Sequence, residues 1–225
     1  AFADAVDALS GAQDFETACK AYTEKLFKEH YRIIFNYNGY GPDWEPEAER
    51  RGLLNNKTTA DAIPECYKRE NIDVFVRQGV YTEKEVIARA NINLENYIKV
   101  INIEALTMLE MGKQDIYPAV NAYVAELCSV IAAKRAVSEK MSCKADTTLA
   151  EQLSKMNDAF ADAMKKLEKD LSEMPAGEGP ASQKMAHVIV PDMDAVRTLA
   201  DGMEKLCASD YWPYPTYTEL LYSIR

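Results

Sequence analysis

From Val86 to Gly112 the residues Val86, Ala90, Leu94, Tyr97, Ile101, Ala105, Met108 and Gly112 recur at steps of four and three. The run covers about seven turns at 3.6 residues per turn. Only a helix repeats on that spacing, and Thr82 with Glu85 supplies a capping box at its start. Ile92, Ile103 and Leu106 make a second stripe. A helix with two apolar faces is expected to lie between layers, and the rest of the chain is read around it.

Upstream, Ala1 to Val6 already follows a helical pattern without an initiator Met, as expected of a processed start or a piece of something longer. Asp14 caps a helix that runs to about His30. Ile33-Ile34-Phe35 is expected to be extended, and Asn36 to Pro42 a loop broken by two glycines and a proline. A short helix is expected from an Asp43 cap to a Gly52 stop. Leu53 to Thr58 reads as loop, followed by short helices over Thr59 to Lys68 and Asn71 to Gln78, the latter closed by Gly79.

Downstream, Gly112 and Pro118 permit a bend before a helix that ends in charges near Lys140. Thr147 or Thr148 is expected to cap the next helix, whose apolar positions run from Leu149 to Met174 with Glu151–Lys155 and Asp162–Lys166 pairs on its wet face. Pro175 to Pro180 forms a hinge, and Met185 to Leu206 returns, kinked at Pro191. The expected fold is mostly α, a helical bundle with a long antiparallel hairpin over about residues 147–208 and little or no sheet. An aromatic tail, residues 210–225, carries Trp212, Tyr214, Tyr217 and Tyr222. It cannot form a core of its own and must dock, on these helices or across a subunit boundary.

Thirty-six acidic residues against 26 Lys and Arg give a net charge of −10, which disfavours nucleic acid and anionic lipid as partners. No uninterrupted apolar run approaches about 18 residues, so no membrane partner is expected. Cys19, Cys66, Cys128, Cys143 and Cys207 are odd in number and without a C-x-x-C pair, which suits a reducing, cytoplasmic setting with buried thiols.

Two histidines, His30 and His187, exclude an all-histidine zinc site and read as ordinary helical residues. Asn38-Gly39-Tyr40-Gly41-Pro42 lacks the lysine and the glycine spacing of a phosphate cradle. Glu95, Asn102 and Glu104 lie on the most apolar helix, where structural ion pairs with Arg50, Arg51 or Arg89 are expected. Met156, Met164, Met185, Met193 and Met203 read as core filler. No catalytic, cofactor-binding or metal-ligating residue is assigned.

Several segments, in order, resemble the carboxy-terminal part of type III glutamine synthetase. They are Ile33 to Tyr40, Asp43-Trp44 with Glu47 to Leu53, Thr58 to Ile63, Ile103 to Met108 and Trp212 to Leu221. The resemblance implies that residues 1–112 end a catalytic domain as its helical layer and loops, and that residues 113–225 are a type III-specific helical region. It further implies a parent ligase that joins ATP, glutamate and ammonia through carboxylate-held Mg²⁺ or Mn²⁺, on strands that precede Ala1. This chain is then expected to have a structural or assembly role and to be inactive alone. Its implied partners are the remainder of the catalytic domain and neighbouring subunits of a homo-oligomer of stacked hexameric rings. The alternative is an independent helical protein-interaction module.

Overall fold

The computed structural model describes residues 2–215 and 217–222, and all regular structure among them is helical. The chain divides into two compact units, Ala1–Lys57 and Thr58–Arg225.

The first unit holds helices α1 (Phe2–Leu9), α2 (Phe15–His30) and α3 (Trp44–Arg50). Asp14 caps α2 as expected, accepting from the Thr17 amide at 3.2 Å and its hydroxyl at 2.6 Å. Tyr31–Ile33 is a turn of 3₁₀ helix, so the extended piece begins only at Ile34. At α3 the expected cap fails: Asp43 has helical dihedrals and no side-chain bond to the turn. The stop holds, because Gly52 adopts φ +69° while its amide and that of Leu53 close on the carbonyls of Glu49 and Ala48. Arg51 then ties the unit together, donating to the Ile34 carbonyl at 2.6 Å and lying over the Phe35 ring, which packs on Trp44. Ala48 is the one buried residue of this unit among the described residues.

The second unit opens with α4 (Thr59–Ala62), capped by Thr58. It tightens to 3₁₀ over Ile63–Tyr67 where one helix was expected, because Pro64 cannot donate to the α ladder. α5 (Arg69–Arg77) ends at Gly79, φ +65°, as expected. The capping box at Thr82 and Glu85 is formed, and α6 (Glu83–Met111) follows.

At Gly112 and Pro118, where a bend is expected, the helix continues through one altered turn. Gly112–Ile116 winds as a π turn, with the Tyr117 amide reaching the Gly112 carbonyl, and α7 (Tyr117–Val137) continues directly. A second π turn, Met185–Ile189, joins α9 (Glu178–Lys184) to α10 (Val190–Glu204). Each wide turn stands just before a proline, Pro118 or Pro191, whose missing N–H the altered ladder absorbs. Joined in this way, the helix Glu83–Val137 is 55 residues long and contains an 18-residue window of mean hydropathy 1.4. By length and composition alone it meets the measure of a membrane span, which counting uninterrupted apolar residues did not reveal.

α8 (Lys144–Ser172) starts before the expected caps: Cys143 is buried at the N-cap, and Asp146 in the first turn pairs with Lys134 at 2.5 Å. Thr147 and Thr148 are interior to it. The reversal is shorter than expected, since α9 begins at Glu178 after Gly177 turns the chain at φ +89°, and Pro180 is accommodated in the first helical turn. On the wet face Asp162 pairs with Lys165, while Lys166 reaches Asp170 at 2.9 Å and Asp192 at 2.5 Å, bridging to α10. α8 and α10 form the expected hairpin, and α7 packs along α8. The core lies between these helices and α6, centred on Leu153, Phe160, Leu167, Met185 and Met203.

Candidate functional site

The residues singled out by sequence are dispersed. His30 closes α2. His187 lies in the second π turn, 2.9 Å from Asp61 Oδ1. Asp61 also accepts from the Thr58 hydroxyl at 2.6 Å and from Gln183 at 3.3 Å. The Thr58 bond first, then that of His187, holds the Asp61 carboxyl below its ordinary value. This cluster joins α4 to the α9–α10 junction, a structural role.

Of the thiols only Cys143 is buried; Cys19, Cys66 and Cys207 are half-buried and Cys128 is exposed, against the expectation of buried thiols throughout. Burial raises the Cys207 thiol. Glu95 and Glu104 face outward, so the arginine pairs expected for them are not formed. Glu95 bonds Lys99 at 2.6 Å, Arg50 and Arg51 share Glu47, and Arg89 lies over the Tyr81 ring. Those two arginines hold the Glu47 carboxyl at about 2. The glycine loop is a local turn, in which the Tyr40 amide donates to Asn38 Oδ1 at 3.0 Å. The methionines do fill the core: Met164, Met185 and Met203 are buried, and Met156 and Met193 pack against them.

Among the described residues no three His, Cys, Asp or Glu side chains converge in a way that suits a metal ion.

Two surface features stand out instead. The first is the second stripe of α6. Val86, Ala90, Leu94, Ala105 and Leu109 are buried, but Ile92, Ile103 and Leu106 are 53%, 63% and 52% exposed. Only one of the two apolar faces is covered, so the expected sandwich is not completed within this chain.

The second is a groove of about 550 Å³ between α6, α10 and the tail. It is lined by Met108, Met193 and the buried Phe160 and Val196, by Trp212 and Tyr214 of the tail, and by Glu104, Asp201 and Glu204. The tail residues reach it by docking on their own helices. Tyr211 packs against Tyr123 with ring centres 5.2 Å apart and ring planes tilted by 43°, and the Tyr214 hydroxyl donates to Asp115 in the first π turn at 2.7 Å. Burial first, then Asp115, pushes the Tyr214 phenol up to about 12. Beyond it α11 (Tyr217–Tyr222) leaves Leu220 and Leu221 exposed, and the side chain of Tyr217 lies outside the described residues. The groove was not foreseen, although Glu104, Met193 and Trp212 had each been singled out. Its missing row, Arg197, Asp201 and Glu204, lies at helical spacing on one face of α10.

The chain is 35% identical over 223 residues to a glutamine synthetase of Butyrivibrio fibrisolvens, covering 98% of this chain and 32% of that protein. It is 26% identical over 217 residues to a type-3 glutamine synthetase of Dictyostelium discoideum, covering 92% of this chain and 29% of that protein. A glutamine synthetase of Bacteroides fragilis (strain YCH46) is 23% identical over 197 residues, 85% of this chain and 27% of that one. The chain thus spans about a third of the length of these relatives. Residues 18–135, just over half of the chain, match the model of the glutamine synthetase C-terminal domain. That stretch includes the loop, the capped α6 and most of α7, and by this match the chain belongs to the glutamine synthetase C-terminal domain family.

Proposed function

We propose that this chain is the C-terminal helical part of a type III glutamine synthetase and that its role is architectural. Residues 1–112 complete the helical layer of a catalytic domain, and residues 113–225 form the type III-specific region. The observation that carries the reading is the open stripe of α6. Ile92, Ile103 and Leu106 continue an apolar pattern that this chain does not cover, and the relatives are about three times as long. The missing layer is the remainder of the synthetase. In that assembly the upstream residues, with ATP and Mg²⁺ or Mn²⁺, form glutamine from glutamate and ammonia, while this part contacts neighbouring subunits of stacked hexameric rings in the cytoplasm.

Neither nucleic acid nor membrane belongs to this reading. The net charge supports the first exclusion. For the second, α7 carries Asn121 and Glu126 in its apolar stretch, and Asn121 accepts from Asn157 of α8 at 3.1 Å, as in a packed bundle.

The test has two arms. The purified chain, given ATP, glutamate, ammonia and Mg²⁺, is expected to form no glutamine; turnover would overturn the reading. Co-expressed with the upstream part of the synthetase, it is expected to co-purify with it, and Ile103→Glu with Leu106→Glu to abolish that association. The groove favours the second reading, an interaction module, which predicts a stable solitary chain that ignores the upstream part.

A further inference from the structure

We propose that the groove between α6, α10 and the tail binds a short amphipathic helix with an apolar ridge flanked by basic residues. The inference goes beyond the architectural role and does not depend on it.

The floor selects the ridge. Met108, Met111 and Met193 line a largely apolar cleft with Phe160 and Val196, and thioether side chains adjust to the shape they receive. Its volume of about 550 Å³ has room for several side chains, and it runs between helices, where a helical ridge can lie.

The edges select the charge. Glu104 is contributed by α6 and Glu204 by α10, and both line the groove. Arg197, the cation of this rim, is bonded to Asp201 at 2.6 Å. Glu104 and Glu204 have no ion pair among the described residues. Two carboxylates from different helices, neither in an ion pair, favour a segment that carries several cations beside its apolar ridge, which a basic helix supplies and a single small ammonium does not. A second copy of this chain is a poor match, because its net charge is −10 and the exposed helix α11 carries Glu219.

The experiment uses the whole 225-residue chain with Trp44→Phe, so that Trp212 on the groove wall is its only tryptophan. Two model peptides are titrated, identical helices with leucines on one face and either lysines or glutamates on both shoulders. The expected result is a shift of Trp212 emission with the lysine peptide and binding at least tenfold weaker with the glutamate peptide. Lysine-peptide binding should weaken as salt rises and fall about tenfold in Glu104→Lys/Glu204→Lys. The salt series on unaltered rim residues keeps the test decisive even if that variant misfolds. Equal binding of both peptides, salt-independent binding, no binding, or saturation by hexylammonium at the same concentration would each overturn the proposal. So would concentration-dependent self-association that buries Trp212 without peptide.

Discussion

Gly112 is interior to a 55-residue helix, where alanine in place of glycine ordinarily gains about 0.5–1 kcal/mol. Here a Cβ would run into Met164 Sδ and lie 3.2 Å from Phe160 Cζ, so two side chains buried in the core must shift to admit it. We expect Gly112→Ala to lower stability by about 1–3 kcal/mol in urea titration. Gly179→Ala, with nothing within 4 Å, should raise it by up to about 1 kcal/mol. The sequence presents Gly112 as a place to bend. Its real constraint comes from α8, some fifty positions away, and no local pattern carries that.

Tyr214 gives a second prediction at this scale. Its folded phenol titrates at about 12 against an ordinary 10.0, so the folded chain holds a proton that the unfolded chain releases in that interval. The resulting stabilisation is complete below pH 10 and is lost as pH rises toward 12. The denaturation midpoint of the wild type should therefore fall more steeply between pH 10 and 12 than that of Tyr214→Phe. At pH 7 the variant should cost about 1 kcal/mol, the loss of one hydrogen bond to a carboxylate. A parallel fall in both proteins would show that the Asp115 contact carries no such linkage.

At the scale of elements, α6 shows what periodicity does and does not say. Both apolar stripes were legible, as were the cap at Thr82 and the stop at Gly79, because each depends on residues within a turn of one another. Whether a stripe is covered was not legible, since spacing is blind to the partner. The two faces should respond differently in this chain alone. Leu109→Ala, on the buried face, is expected to cost about 2–5 kcal/mol. Ile103→Ser, on the open face, should change stability by less than about 0.5 kcal/mol. Thermal unfolding of the two variants checks this, and a large loss for Ile103→Ser would mean that the open face is already occupied, as by a second copy. The same blindness explains the start of α8. Thr147 and Thr148 have the chemistry of caps, but burial of Cys143 and the Lys134–Asp146 pair draw the cap back to Cys143. The groove escaped notice for a related reason: its sides lie on helices separated by nearly a hundred residues, and only the fold brings Glu104 and Glu204 into one lining.

At the scale of the whole molecule the contrast lies between the two units. Thr58–Arg225 holds the continuous core. Ala1–Lys57 buries Ala48 alone among its described residues, while Phe2, Phe15, Phe27, Tyr37 and Tyr40 are exposed. Helices of 8, 16 and 7 residues with so little burial sit near or below the length at which isolated helices persist, about 12–15 residues, so the first unit should open locally far more often than the second. Limited trypsin digestion is expected to cut first within residues 1–57, Lys57 included, leaving a resistant product that begins at Thr58. That product should retain a single cooperative unfolding transition. Adding the upstream part of the synthetase should slow the early cuts, because the exposed aromatic residues would then be covered. First cleavage within α8 or α10 would show that stability is not divided at this boundary. Unchanged early cutting in the presence of the upstream part would mean that those aromatics are not its contact surface, leaving the open stripe of α6 as the place to look.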